Sequence, residues 1–506
     1  MTTPLAVTGL VSELDDVSPP VTTPLGRSAL AALETDDAAV RAMTDRIWEL
    51  AEPGLTEVRS ACVLTDYLTA NGFEVEHGIA GFPSAFVATW GTSGPTIGLS
   101  CEYDATPGET QDRRPYPAAR PGRTAGFTDL HNGIGTASAA AAVALARVLA
   151  AHGLPGRVRV LGTPAEKLCV GKPFLARAGY LDGLDAVVAW HPRAYSTVEL
   201  DDGPGIQTGT VLTFGGRTAY SARPWDGVNA LDALVLTDVL LRYLRDTIPR
   251  SLASSVSRVV LDGGLHPTSV PGTAQAWFIE RAATPEGLEL VHDRLLRAAR
   301  GAATALGAEV EEHMVSGTRP WLPNHAMAVA GWRGLRRGGA PRFSEADKEF
   351  GRAVLREVGR EQLAEPYDED LTRPTDRAGR DFAGGADDVT EYCWHAPTVR
   401  LYLAHGLRGG HLPNWARSAF TGIDAAHATV QAAARAMVLT ALELLEQPEL
   451  LAAAQAEHRQ RVEAGGAHAP RIPPGTPTPV AAVGMPPFIQ SHLLALAEID
   501  TAAVTG

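Results

Sequence analysis

The sequence predicts an α/β fold: a mixed, mostly parallel sheet whose chain is interrupted by an inserted unit of strands and helices. Three observations carry that expectation. The runs Val158 to Leu161 and Ala186 to Trp190 are continuously apolar, the pattern of strands buried on both faces of a parallel sheet. Strand-like runs alternate with helix-like ones, an order that layers helices over a sheet and leaves ligands at the C-terminal ends of the strands. From about Thr208 the order changes to strand, helix, strand, strand, helix, strand.

Residues 1–27, rich in Thr and Pro, read as a flexible arm. Helical periodicity follows from Asp37 to Asn71 through Ile47, Leu50, Leu64, Tyr67 and Leu68, and β-like runs cover 85–89 and 96–100. The Ala-rich run Ile134 to Ala151 reads as a helix. In the inserted unit, 208–317, strands are expected at 211–214, 256–261, 274–280 and 309–314, and helices at 227–245 and 285–306. Leu236, Val239, Leu240, Tyr243 and Leu244 make one apolar stripe, expected to face a sheet. The βαββαβ order is the ferredoxin-like split arrangement, here expected to be a lid and dimerisation domain. Residues 28–207 and 318–451 would then form a discontinuous catalytic domain. The remainder, 452–506, holds a helix and a Pro-rich tail ending in an amphipathic stretch, Phe488 to Leu496.

A chain of 506 residues suggests about two to three domains. A net charge of -14, with no Lys/Arg-rich block, argues against a nucleic-acid partner. The N-terminus lacks the basic and apolar regions of a signal peptide, and no apolar stretch is expected to span a bilayer, so a cytoplasmic protein without membrane contact is expected. Cys62, Cys101, Cys169 and Cys393 are scattered and read as reduced thiols. Only Lys167, Lys172 and Lys348 stand among 44 basic residues, so a lysine inside the candidate site is less easily dismissed as compositional drift.

Five segments carry the chemistry. Gly98 to Gly108 runs from a strand into a turn bearing Glu102 and Asp104. Asp129-Leu130-His131-Asn132-Gly133 feeds a helix, and on extended backbone its first and third side chains would point the same way and grip one cation. Pro164-Ala165-Glu166-Lys167 and Trp190-His191-Pro192 each follow a buried strand. Gly410-His411-Leu412-Pro413 lies near the end. Asp129 and Asn132 also suit the N-cap of the helix, Asp387-Asp388 suits a turn cap or a positioning role, and His395, His405 and His427 read as structural.

The order, the spacing and the insertion resemble the metal-dependent aminoacylase and carboxypeptidase family, in its aminobenzoyl-glutamate hydrolase and N-acyl-amino-acid amidohydrolase branch, over roughly Asp37 to Leu450. There the segments read E-Y/F-D-A-L-P-G, C-G-H-N-L-x-G, P-A-E-E and a W-H-P-like strand end, with a distal His. The resemblance implies Asp104 as the acid orienting the site, His131, His191 and His411 as metal ligands, and Glu166 as general base. Three residues depart from it: Asp129 for a ligand Cys, Lys167 for a ligand Glu, and Tyr220 for a lid His. Asp129 stays a ligand but favours manganese or iron over zinc, whereas the Lys167 ammonium cannot ligate and repels a second ion. One divalent transition metal (Zn, Mn or Fe) per chain is therefore expected on Asp129, His131 and His191. Tyr220, Asn229 and His411 are expected to touch substrate, with Lys167 and Tyr220 also in catalysis. The implied function is hydrolysis of an N-acyl or N-aroyl amino acid or small peptide-like amide by a homodimer. A non-hydrolytic tailoring reaction and a silent partner subunit are the alternatives.

Overall fold

The computed structural model describes residues 12–16, 20–361, 363–377, 385–408, 410–465, 469–487 and 490. Ser12–Asp15 form a 3-10 turn with Leu14 buried, and helix α1 (Pro24–Leu50) begins inside the range read as an arm. The rest of that arm and most of the amphipathic stretch after Phe488 lie outside the described residues. Thr23 caps α1, its hydroxyl accepting from Gly26 N at 3.0 Å. The periodic run from Asp37 to Asn71 is two helices, because the chain leaves α1 at Ala51 with φ 45° and resumes in α2 (Val58–Ala70). The intervening turn sends Glu52 and Glu57 into the interior.

The central sheet contains β1 (Glu74–His77), β2 (Phe86–Trp90), β3 (Thr96–Cys101), β4 (Arg157–Gly162), β5 (Ala186–Arg193), β6 (Thr197–Val198) and a late strand, Thr398–Ala404. Its order is β1, β2, β4, β3, β5, the late strand and β6. The four central strands pair in parallel and the edges antiparallel, a mixed and mostly parallel sheet as expected. Continuous apolar runs mark the central strands because helices cover both faces.

Helix α3 (His131–His152) lies in the middle of the core beside α1 and the late helix Asp424–Glu446. Both α3 and the late helix are long and apolar enough to cross a membrane, contrary to the sequence expectation. They are 83% and 78% buried over that window, and small Ala side chains all round let helices and sheet close on them. Gly135 serves the same closeness: a Cβ there would lie 2.8 Å from the Glu102 carbonyl oxygen, which accepts Gly135 N at 2.9 Å.

The inserted unit comprises β7 (Ile206–Gly215), α4 (Ala230–Arg245), β8 (Ser255–Asp262), β9 (Thr273–Ala282), α5 (Pro285–Leu306) and β10 (Glu309–Gly317). Its sheet runs β8, β9, β7, β10, every pair antiparallel, over a core of Leu212, Phe214, Leu234, Phe278 and Leu295. The face of α4 turned inward is Ala233, Leu234, Thr237 and Leu241, while Val239 and Tyr243, expected on that face, are 44% and 73% exposed. This helix is apolar on two sides, so periodicity alone does not choose between them.

Candidate metal and active site

Three strand ends and the start of α3 build the site, which therefore sits where a parallel sheet delivers ligands. β3 runs into Glu102 and Asp104, β4 leads to Glu166 and Lys167, and β5 carries His191. Ala165 (φ 56°) and Cys169 (φ 51°) adopt the left-handed conformation on either side of the short helix that holds Glu166. Non-glycine residues there are strained, and the strain is sustained by long-range contacts. Glu57 Oε1, for example, accepts Ala165 N at 2.7 Å.

Asp104 is fully buried and pairs through Oδ1 with His131 Nδ1 at 2.8 Å, while Oδ2 accepts Lys167 N at 2.9 Å. Burial raises its proton affinity, but the His131 hydrogen bond and the charges of His131 and Lys167 more than offset that, leaving the carboxyl below its ordinary range. Fixing Nδ1 leaves His131 Nε2 to face the site, buried and without a hydrogen-bond partner. Around it lie Glu166 Oε2 at 3.5 Å, Asp129 Oδ1 at 3.6 Å and Glu102 Oε2 at 3.9 Å. The His191 ring crosses His131 edge-on at 5.8 Å, its Nδ1 directed to Pro192 O at 2.9 Å. Two overlapping sets, Asp129-His131-His191 and Glu102-His131-Glu166, each bring their ligand atoms within 4.8 Å of one another.

Asp129 does not cap α3, whose first cap position is Leu130 without a side-chain hydrogen bond. The segment is not extended: His131 N donates to Asp129 O at 2.6 Å, and this tight turn places the two side chains together. The Asp129 carboxylate takes the Lys167 ammonium on Oδ1 and the Arg417 guanidinium at 3.5 Å on Oδ2. Although burial opposes it, Lys167 with His131, His191 and Arg417 holds Asp129 well below the usual carboxylate range, and Asp129 with Glu166 holds Lys167 above the usual amine range. Burial, then Asp387 and Glu102, push Glu166 well above its ordinary value. Burial and the Arg400 charge push His191 well down, so the ring is neutral and able to ligate.

Beneath the site lies a buried ionic layer that local sequence does not reveal. Lys172, with no exposed surface, bridges Glu102 Oε1 at 2.8 Å and Asp388 Oδ1 at 2.5 Å, and Arg400 pairs with Asp387. Asp387 also caps the following helical turn, accepting Val389 N at 2.8 Å. Burial and Asp387 push Asp388 up to about 8, while Arg400 and Lys172 overcome burial to hold Asp387 below the ordinary range. The rarity of lysine was the one available signal for Lys172.

The remaining expected site residues lie apart. His411 is exposed, in none of the metal-type groups among the described residues, with its carbonyl accepting from Arg360 at 3.0 Å. Tyr220 is 65% exposed on a two-residue ribbon paired with Ser269–Val270. Asn229 caps α4, its side chain accepting from Leu231 N at 3.0 Å.

Two histidines and several carboxylates at the strand ends of a mostly parallel sheet make a candidate metal centre of the hydrolase type. No family model matches the chain. One of the subunits of p-aminobenzoyl-glutamate hydrolase from Escherichia coli (strain K12) is 27% identical over 480 residues, 89% of this chain and 98% of that protein. Xaa-Arg dipeptidase of Mus musculus is 28% identical over 454 residues, 86% of this chain and 92% of its own length. The crystal structure of an aminobenzoyl-glutamate utilization protein from Klebsiella pneumoniae shares the fold, with a TM-score of 0.53 at 18% identity over 80% of this chain and 96% of that one. The chain is a homologue of the hydrolase subunit and of the dipeptidase, the relationship its motifs had suggested.

Proposed function

We propose that this chain is a one-metal amidohydrolase that cleaves the amide of an N-acyl or N-aroyl amino acid or a small peptide-like metabolite. The observation that carries the reading is the orphaned, buried His131 Nε2 ringed by carboxylate oxygens at 3.5–3.9 Å, with a proton-avid Glu166 among them. A buried nitrogen lone pair left without a partner costs free energy, and a cation there relieves it. The crowding of acids supports the same occupant: Glu102, Asp104, Asp129, Glu166, Asp387 and Asp388 meet Lys167, Lys172, Arg400 and Arg417 there, and the raised proton affinity of Glu166 and Asp388 marks mutual repulsion that a cation relieves.

Asp129, His131 and His191 would hold the ion, and a divalent metal there supplies Lewis acidity to the scissile carbonyl. Asp104 fixes the His131 tautomer. Glu166 takes a proton from the attacking water and returns it to the leaving amine, the task its raised proton affinity suits. The Lys167 ammonium, in the place of a second ion's ligand, lends its charge to the oxyanion or to the substrate carboxylate. Tyr220, Asn229 and His411 contact substrate once the inserted unit, read as a ferredoxin-like lid, closes over the 28–207 and 318–451 catalytic domain. The lid also pairs two chains: its outer face shows Val235, Val239 and Tyr243 on one side of α4 and Val259 and Val260 on the edge strand β8. Four free thiols suit a reducing cytoplasm.

The test is amide hydrolysis by the metal-loaded protein on a panel of N-acyl and N-aroyl amino acids, with Glu166→Gln as control. The variant should lose on the order of hundredfold or more in kcat while keeping metal and substrate binding. Turnover by Glu166→Gln at the wild-type rate removes the base from the mechanism.

A further inference from the structure

The Arg/Pro-rich segment 109–127 is used by none of the chemistry above, and it is built rather than loose. Buried Gln111 organises it: Nε2 donates to the carbonyls of Asp112 at 3.0 Å, Arg114 at 3.3 Å and Tyr116 at 2.9 Å, and Oε1 accepts Ala118 N at 3.0 Å. The loop so formed presents guanidinium groups to the indole of Trp48. Arg113 and Arg120 lie 4.4 and 3.8 Å from its ring centroid, and Arg120 also donates to Trp48 O at 2.9 Å. Together with Arg123 they line a cavity of about 410 Å³.

The charges there do not balance. Arg113 is paired with Asp45 at 3.0 Å, Arg120 with Glu49, and Arg114 lies 3.8 Å from Asp112. Arg123 has no such partner among the described residues, and its Nε and Nη1 are buried without a hydrogen bond. Two buried donors of one guanidinium left unmet are expensive, and a guanidinium fork fits a two-oxygen acceptor. Repulsion from Arg123 and Arg113 adds to burial in lowering the proton affinity of Arg120, a sign of uncompensated positive charge.

We propose that Trp48, Arg113, Arg120 and Arg123 form a binding site for a small oxyanion, a carboxylate or phosphate group, outside the metal centre. The site is linked to that centre. Trp48 packs so closely on Gly422 that a Cβ there would lie 2.4 Å from the indole, and the neighbouring Thr421 carbonyl accepts Asn132 Nδ2 at 2.9 Å, one residue from His131. An anion held by the loop thus braces the wall that carries the metal histidine.

The experiment is calorimetric titration of the metal-loaded full chain with inorganic phosphate and, separately, with succinate. One saturable site for either is expected, the stronger binder identifying phosphate or carboxylate as the source. Arg123→Gln should weaken it tenfold or more, Arg123→Lys should recover part of the loss, and Lys167→Gln should leave it unchanged. Circular dichroism and thermal melting establish that each variant is folded. No saturable binding of either anion, or binding that survives Arg123→Gln and disappears with Lys167→Gln, overturns the proposal.

Discussion

Replacing Lys167 by Glu should convert a one-metal centre into a two-metal one. The ammonium rests on Asp129 Oδ1, an atom 3.6 Å from His131 Nε2. Ions in two-metal hydrolytic sites stand about 4 Å apart, and an ammonium resting on a ligand oxygen of such a site would lie within roughly that distance of a second ion. At an effective dielectric near 20, a unit charge about 4 Å from a divalent ion is worth about 8 kcal/mol, and even screening as strong as bulk water leaves about 2 kcal/mol. The smaller figure alone is about thirtyfold in affinity, and Lys167→Glu reverses its sign while supplying a ligand oxygen. Elemental analysis after loading with manganese or zinc and exhaustive dialysis reads the outcome: about one ion per wild-type chain and about two per Lys167→Glu chain. A wild-type protein that reproducibly holds two ions refutes the reasoning, and so does a variant that stays at one.

Lys172→Met should cost about 3–5 kcal/mol, because it strands Glu102 and Asp388 as buried carboxylates. Urea unfolding measures it, Asp388→Asn in the same chain should return part of the loss, and a change under about 1 kcal/mol would show that the layer is not held by that ammonium. In the inserted unit, His292 donates to the carboxylates of Glu280 and Glu312, which hold its pKa up at about 9. Since the folded value lies above the unfolded one, its contribution is complete below about pH 6.5 and is lost as pH rises through about 9. His292→Gln should therefore destabilise the protein by about 2 kcal/mol near pH 6 and hardly at all near pH 10, and an equal loss at both pH values would dissociate the effect from the charge. If the lid pairs two chains and brings Tyr220 to the partner's site, mixing Tyr220→Phe with Glu166→Gln should restore some activity through the site that holds both native residues. A strictly monomeric protein, or mixed dimers with no recovery from two inactive parents, would exclude that role.

What the sequence determined by itself was everything carried by local pattern. Continuous apolar runs marked the central strands because both sheet faces are covered, and the acids and histidines that follow them, Asp104, Glu166 and His191, had to emerge where those strands end. The helix Pro285–Leu306 was legible to the residue, since Thr284 caps it and Gly307 ends it in the left-handed conformation. Tertiary structure decided what depends on distant segments meeting. Lys172 and Asp388 are 216 residues apart in sequence, and only the pairing of β5 with the late strand brings the segment before that strand under the site. Glu57 supports Ala165 across 108 residues, a contact that the helical periodicity read from Asp37 to Asn71 passed over. The outward stripe of α4 was likewise undecidable from spacing, because a helix with two apolar faces is oriented by the sheet it meets. Ordered motifs therefore announced the chemistry, while the charges that tune it were assembled by folding, which no local window records.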